Sequence, residues 1–176
     1  MSRSALVLLA HTDDETLGCG GTISRLARDG WDVETVLLTD GIVTVRPGEP
    51  QDNRTDCREA CATLGVAPAR LLGFPDQLLD QVPVAVLVNA VSELGLRPDL
   101  IITHSDRDLN KDHRIAAEVA RIIGRPKDRP ISVLACEVSS SSFWNGAAFP
   151  GDYFVDITDT LERKLRAFAC YRNEVQ

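Results

Sequence analysis

Long apolar runs, basic surplus and histidine are what this chain has least of, and each shortage excludes something. No apolar run reaches the roughly 20 residues that cross a bilayer, and no charged-then-apolar leader opens the chain. No membrane span is therefore expected. Lysine and arginine total 19 against 26 aspartates and glutamates, a formal net charge of -7. A general nucleic-acid binder needs a basic face, which this balance argues against. Five cysteines is an odd count with no C-x-x-C pair, which fits a reducing, cytoplasmic setting. Cys57 and Cys61 stand four apart on an expected helix. That spacing can clip a metal, but two small buried residues on one helix face is the commoner reading. Internal repeats, linkers and low-complexity stretches are missing as well. The 176 residues read as one domain, with enough chain for a sizeable core.

What is present is an alternation of short apolar runs and helical patterns. Ala5 to Ala10, Val33 to Thr39, Arg70 to Leu72, Leu100 to Thr103 and Ile131 to Glu137 read as strands. The first of these is apolar without alternation, as a strand covered on both faces should be. Helices are expected from about Asp14 to Arg28, Arg54 to Leu64, Val84 to Leu94, Asp112 to Ile123 and Thr158 to Tyr171. Gly30, Gly65 and Gly95 mark three of their exits. The last helix is expected to be capped by Thr158 or Asp159. Tyr153 to Ile157 reads as an edge strand, and Ile42 to Asn53 as a loop long enough for a lid or substrate contact. The pattern predicts an α/β, Rossmann-like fold: a mostly parallel sheet with helices on both faces. Ligands in such folds bind beyond the carboxyl ends of the strands.

The scarce histidines sit where that rule puts a ligand. All three, His11, His104 and His113, fall in two polar clusters that follow the first and fourth strands. The first cluster is Ala10-His11-Thr12-Asp13-Asp14-Glu15. So much charge near a core is costly unless something pairs with it, and a divalent metal is the obvious partner. The second runs from His104 to Arg114 and contains Asn110, Asp112 and His113. His11, Asp14 and His113 make a two-histidine, one-carboxylate set, the arrangement of a catalytic zinc site with an open position. A metal so held lowers the pKa of its water and polarises a carbonyl. Asp13 is then left to take the water proton and return it to a leaving amine. Asp112 reads equally as a partner for a ligand histidine and as a simple helix N-terminal carboxylate. Asp106, Asp108 and Lys111 read as solvated loop. Gly18-Cys19-Gly20-Gly21 is not a G-x-G-x-x-G fingerprint, and the acidic knot before it would repel a phosphate. These glycines are expected to permit close packing of the first helix.

These motifs resemble the PIG-L/LmbE-like family of zinc-dependent N-deacetylases. The chain has A-H-T-D-D-E at residues 10–15 where that family has A-H-P-D-D-E, and Asp112-His113-Arg114 matches its D-H-R. Leu72 to Asp76, Arg97-Pro98-Asp99, Ser140 to Trp144 and Lys164 to Tyr171 resemble further signposts, so the likeness covers essentially the whole chain. It implies a Rossmann-like fold and hydrolysis of an N-acetyl or related N-acyl group on an amino sugar or its conjugate. It implies Zn2+, or another divalent metal, on His11, Asp14 and His113, with Asp13 as general base and acid. Arg54 matches an arginine common at the start of the family's second helix and is a candidate contact to a substrate phosphate or hydroxyl. Asp76 and Trp144 offer a contact to sugar hydroxyls and a stacking face. Each of the three also reads as an ordinary surface, turn or core residue.

The chain departs from the family at three points. Thr12 replaces the proline. Asn110 stands where many members carry a histidine, so it can donate a hydrogen bond to an oxyanion but cannot supply a proton. The sequence stops at Gln176, earlier than many members, so a C-terminal truncation is compatible with it. His104 is a possible helper. Two other readings fit the same residues: a non-catalytic metal- or sugar-binding member of the fold, and an Fe(II) facial-triad oxygenase. A homo-oligomer is compatible with the family.

Overall fold

The computed structural model describes residues 3–44, 48–126, 129–139, 141, 146 and 148–173. Strand β1 (Ser4–Leu9) is followed by α1 (Asp14–Arg28) and β2 (Asp32–Thr39). A two-residue ladder follows, β3 (Ile42–Val43) antiparallel to β4 (Gln51–Asp52). Then come α2 (Arg54–Leu64), β5 (Arg70–Phe74), α3 (Val84–Ser92), β6 (Leu100–His104), α4 (Lys111–Ile123), β7 (Ser132–Cys136) and α5 (Leu161–Phe168).

The five long strands form one sheet in the order β5-β2-β1-β6-β7, every pairing parallel. Helices cover both faces, and the burial shows why β1 lacks alternation. Ala5, Val7 and Leu9 pack with Ile23 of α1, Leu64 of α2 and Ala167 near the end of α5. Leu6, Leu8 and Ala10 point the other way, onto Leu87 and Val91 of α3 and Ala116 and Val119 of α4. Each residue of the strand meets a helix layer, so each is apolar. From β1 the chain winds outward to β2 and β5, then returns to place β6 on the other flank of β1. The crevice beyond the carboxyl ends of β1 and β6 is thus the topological switch point of the sheet.

Three expectations need correction. The Ile42 to Asn53 loop carries the β3–β4 ladder, with residues 45–47 outside the described residues. Tyr153 to Ile157 pairs with no strand among the described residues. It runs over the surface with Tyr153 and Phe154 exposed, and Ile157 anchors it on α1. The last helix begins at Leu161 after a 3-10 turn over Thr158–Thr160, with Thr160 rather than Thr158 or Asp159 as its N-cap. Asp156 takes the backbone N–H and hydroxyl of Thr158 instead, which holds the chain in a turn there. The glycines of α1 do permit close approach: a Cβ on Gly21 would lie 2.7 Å from the Ile157 side chain, and one on Gly18 would lie 2.8 Å from Cys136 Sγ.

Candidate metal centre

The turn after β1 builds the first half of the site. Asp14 opens α1, and its Oδ2 accepts the His11 backbone N–H at 2.8 Å, which folds the two side chains toward each other. The second half comes from the start of α4. Asn110 caps that helix, accepting the Asp112 N–H on its side-chain oxygen at 2.9 Å, and so sets Asp112 and His113 in the first turn.

His11, Asp14 and His113 are buried and bring their donor atoms together at one point. His11 Nδ1 lies 3.2 Å from His113 Nε2 and 3.4 Å from Asp14 Oδ2, and His113 Nε2 lies 3.3 Å from Asp14 Oδ1. Ligands about 2.0–2.1 Å from a tetrahedral ion stand about 3.3 Å apart; with either Asp14 oxygen two edges of this group have about that length, and all three donor atoms lie within 4.8 Å of one another. Among the described residues it is the one such group of histidine, cysteine and carboxylate side chains. Cys57 and Cys61 lie instead in the core beneath Tyr171, with free thiols.

The far nitrogen of each ring meets a carboxylate. His11 Nε2 is 3.2 Å from Asp112 Oδ2 and 3.5 Å from Asp76 Oδ1. His113 Nδ1 is 3.2 Å from Asp108 Oδ2 and 3.3 Å from Ser141 Oγ. Carboxylates behind ligand histidines fix ring orientation and tautomer, leaving the other nitrogen's lone pair for an ion. Asp112, in the first turn of α4, accepts the Leu79 N–H on Oδ1 at 3.2 Å and faces His11 with Oδ2. The environments shift the titrations. Burial disfavours a charged imidazole, but Asp112, Asp14 and Asp76 outweigh it and raise His11 to about 10. Burial is likewise outweighed at His113, which Asp14 and Asp108 raise to about 9. Burial prevails at His104 and lowers it to about 4. The Asp14 carboxyl is held well below its usual value by His113 and His104, against its burial.

Asp13 is half-buried at the N-cap of α1, with φ 95° and ψ −31°. That is left-handed backbone for a non-glycine residue, a strain of about 1–3 kcal/mol of the sort found at functional sites. Thr12 beside it is buried, and its hydroxyl has no hydrogen-bond partner among the described residues. His104 stacks on His113, with ring centroids 3.8 Å apart and planes 7° apart. Its Nε2 lies 3.0 Å from the Ala10 N–H and 3.2 Å from Asp14 Oδ2, so this ring backs the ligands from inside the protein.

The Asn110 Nδ2 donates to Gln77 Oε1 at 3.3 Å, and an amide nitrogen has a second hydrogen to offer. Gln77, with φ 57°, accepts that Asn110 bond on Oε1, and its Nε2 lies 3.2 Å from His11 Nε2. Asp76 is buried, and its Oδ2 takes both the N–H and the hydroxyl of Thr44 at 3.0 Å. It therefore ties the 42–44 segment to the site. Arg54 is exposed, with its guanidinium forked on Asp52. Trp144 lies outside the described residues. Asp108, Ser141 and Gln77 were missed by sequence reasoning. In sequence Asp108 resembles Asp106, yet Asp106 pairs with Arg121 at 2.7 Å on the surface while Asp108 is buried on His113.

A parallel sheet with a two-histidine, one-carboxylate face at its switch point defines a class: α/β enzymes with ligands for one ion beyond their strand ends. Residues 6–123 match the family described as PIG-L, GlcNAc-PI de-N-acetylase. The chain therefore belongs to the PIG-L family of N-deacetylases. It is 26% identical over 192 residues to a probable N-acetyl-alpha-D-glucosaminyl L-malate deacetylase 2 of Bacillus cereus, covering 100% of this chain and 86% of the relative. A 4-oxalmesaconate hydratase of Pseudomonas putida is 25% identical, covering 96% of this chain and 72% of the relative. The crystal structure of a conserved protein from Thermus thermophilus superposes with a TM-score of 0.77 at 26% identity, over 99% of this chain and 80% of that one. Among the described residues no helix is long and apolar enough to cross a membrane.

Proposed function

We propose that this chain is a zinc-dependent hydrolase that removes an acetyl or related acyl group from the nitrogen of an amino sugar or its conjugate. The observation that carries the reading is the convergence of donor atoms from His11, His113 and Asp14, all within 4.8 Å of one another, next to a strained aspartate that is not part of the group. Those three residues would hold the ion. A divalent ion bound there polarises the amide carbonyl and brings the pKa of a water toward neutrality. Asp13 takes a proton from the attacking water and returns it to the departing amine, serving as base and then acid. Asn110 turns its second amide hydrogen to the oxygen that gains charge as the carbonyl carbon becomes tetrahedral. Asp112 and Asp108 keep the rings from turning.

The test is amine release from N-acetylated amino sugars, free, nucleotide-linked and lipid-linked, before and after a chelator and again with zinc restored. Release that is lost and then regained supports the reading. Asp13→Asn should keep its metal and lose about 10²–10⁴-fold in kcat, the range for one general acid–base group. Unchanged turnover in that variant would exclude the base role. Hydration of an unsaturated acid without amine release would assign the chain to its hydratase relative's chemistry instead.

A further inference from the structure

Glu15 is the one carboxylate of the opening cluster that neither joins the ligand triangle nor serves as the proposed base, and it is the most deeply buried, at 0% exposure. Its two oxygens are spoken for. Oε2 accepts the backbone N–H of Asp13 at 3.1 Å, and Oε1 accepts the hydroxyl hydrogen of Tyr171 at 2.5 Å. Tyr171 comes from the other end of the chain, just after α5, and is itself fully buried. The other side of Asp13 is also held. Its carbonyl accepts the N–H groups of Thr16 at 2.9 Å and Leu17 at 3.0 Å, and the Thr16 hydroxyl at 2.8 Å.

Both peptide groups flanking Asp13 are thus pinned, one by the first turn of α1 and one by Glu15. Fixing two successive peptide planes fixes the φ and ψ between them, and with them the direction of the Cα–Cβ bond. An aspartate left to itself does not stay at φ 95°. The helix start alone cannot hold it there, because it leaves the preceding peptide free to turn. We infer that Glu15, braced by Tyr171, is a positioning residue that clamps the peptide before Asp13 and so aims the Asp13 carboxylate at the ligand face. The inference rests on the reading of Asp13 as the base, and it adds that the C-terminal helix has a part in the site without touching it.

The test uses the full chain, loaded with zinc, in three variants: Glu15→Ala, Glu15→Gln and Tyr171→Phe. Hydrogen exchange at the Asp13 amide, followed by NMR, needs no turnover. Steady-state kinetics on an active N-acetyl amino sugar supply the second readout. In Glu15→Ala the Asp13 amide should exchange about a hundredfold faster and kcat should fall about a hundredfold, the scale of a misplacement near 1 Å, while KM and metal content hold. Glu15→Gln should recover most of both, since its amide oxygen accepts the Asp13 N–H and its nitrogen donates to the Tyr171 oxygen. Tyr171→Phe should move both readouts in the same direction by less, and it decides the matter if Glu15→Ala does not fold. An Asp13 amide as protected as in the wild type would overturn the clamp. So would a Gln variant as impaired as the Ala variant, or metal content falling in step with kcat. If the wild type releases no amine from any sugar, the proposed function falls, while the exchange readout still decides the clamp.

Discussion

At the scale of single residues, the division of labour among the carboxylates is set by which nitrogen each one faces. Asp14 faces the same point as the two imidazoles, whereas Asp112 and Asp108 stand behind them. Removing a carboxylate behind a ligand histidine costs about 10–100-fold in metal affinity in comparable sites. Asp108→Asn should therefore weaken metal binding by about that factor, measured by competition with a chromogenic chelator. Asp106→Asn, two residues away on the surface, should leave it unchanged. Equal effects would deny that Asp108 acts through His113. This contrast marks the limit of what the amino-acid sequence discloses. The grouping of His11 and His113 with Asp14 was legible because histidine is rare here and all three copies fall in two polar clusters at the carboxyl ends of β1 and β6. Asp108 and Asp106 were not separable, because both lie in one polar loop and only the path of that loop decides which is buried. Asp76 was legible as a turn residue near the site, but not its hold on Thr44, which depends on the 42–44 segment crossing back over the strand ends.

At the scale of elements, the central strands and the helix order were legible, since a strand covered on both faces must be apolar at every position. The margins were not. The 149–157 segment has strand-like composition at its end, yet Tyr153 and Phe154 stay exposed and no ladder forms among the described residues. Ile157 against Gly21 holds the segment on α1, helped by Arg25, which donates to the Asp156 carbonyl at 2.6 Å. A Cβ on Gly21 would sit 2.7 to 2.9 Å from three atoms of Ile157. Gly21→Val should then destabilise the fold by about 1–3 kcal/mol by overpacking, read as a lower denaturation midpoint. Adding Ile157→Ala should return part of that loss, because the two changes share one contact and so cannot add independently. Simple additivity in the double variant would mean that α1 and this segment are not in contact in solution.

At the scale of the whole molecule, the ion and the fold should be linked through protons. Without an ion, the surrounding carboxylates hold protons on His11, at about 10, and on His113, at about 9, both above the ordinary value of 6.5. A histidine raised on folding adds stability that is present below 6.5 and lost as pH rises through the folded value. The metal-free chain should therefore lose stability between about pH 6.5 and 10. An ion takes the place of those protons, so its affinity rises with pH over the same window, and the loaded chain is spared this loss. Other groups titrate too. Glu15, raised by burial to about 8, withdraws stability as pH rises from 4.5 to about 8. His104, lowered by burial to about 4, withdraws it as pH falls below 6.5. The informative quantity is thus the difference in melting temperature between zinc-loaded and chelated protein, measured at pH values from 6 to about 8.5. It should grow steadily across that range, and zinc binding near neutral pH should release protons to the buffer. A difference independent of pH, with no protons released, would mean that the ion does not displace protons from His11 and His113 and is bound by other groups.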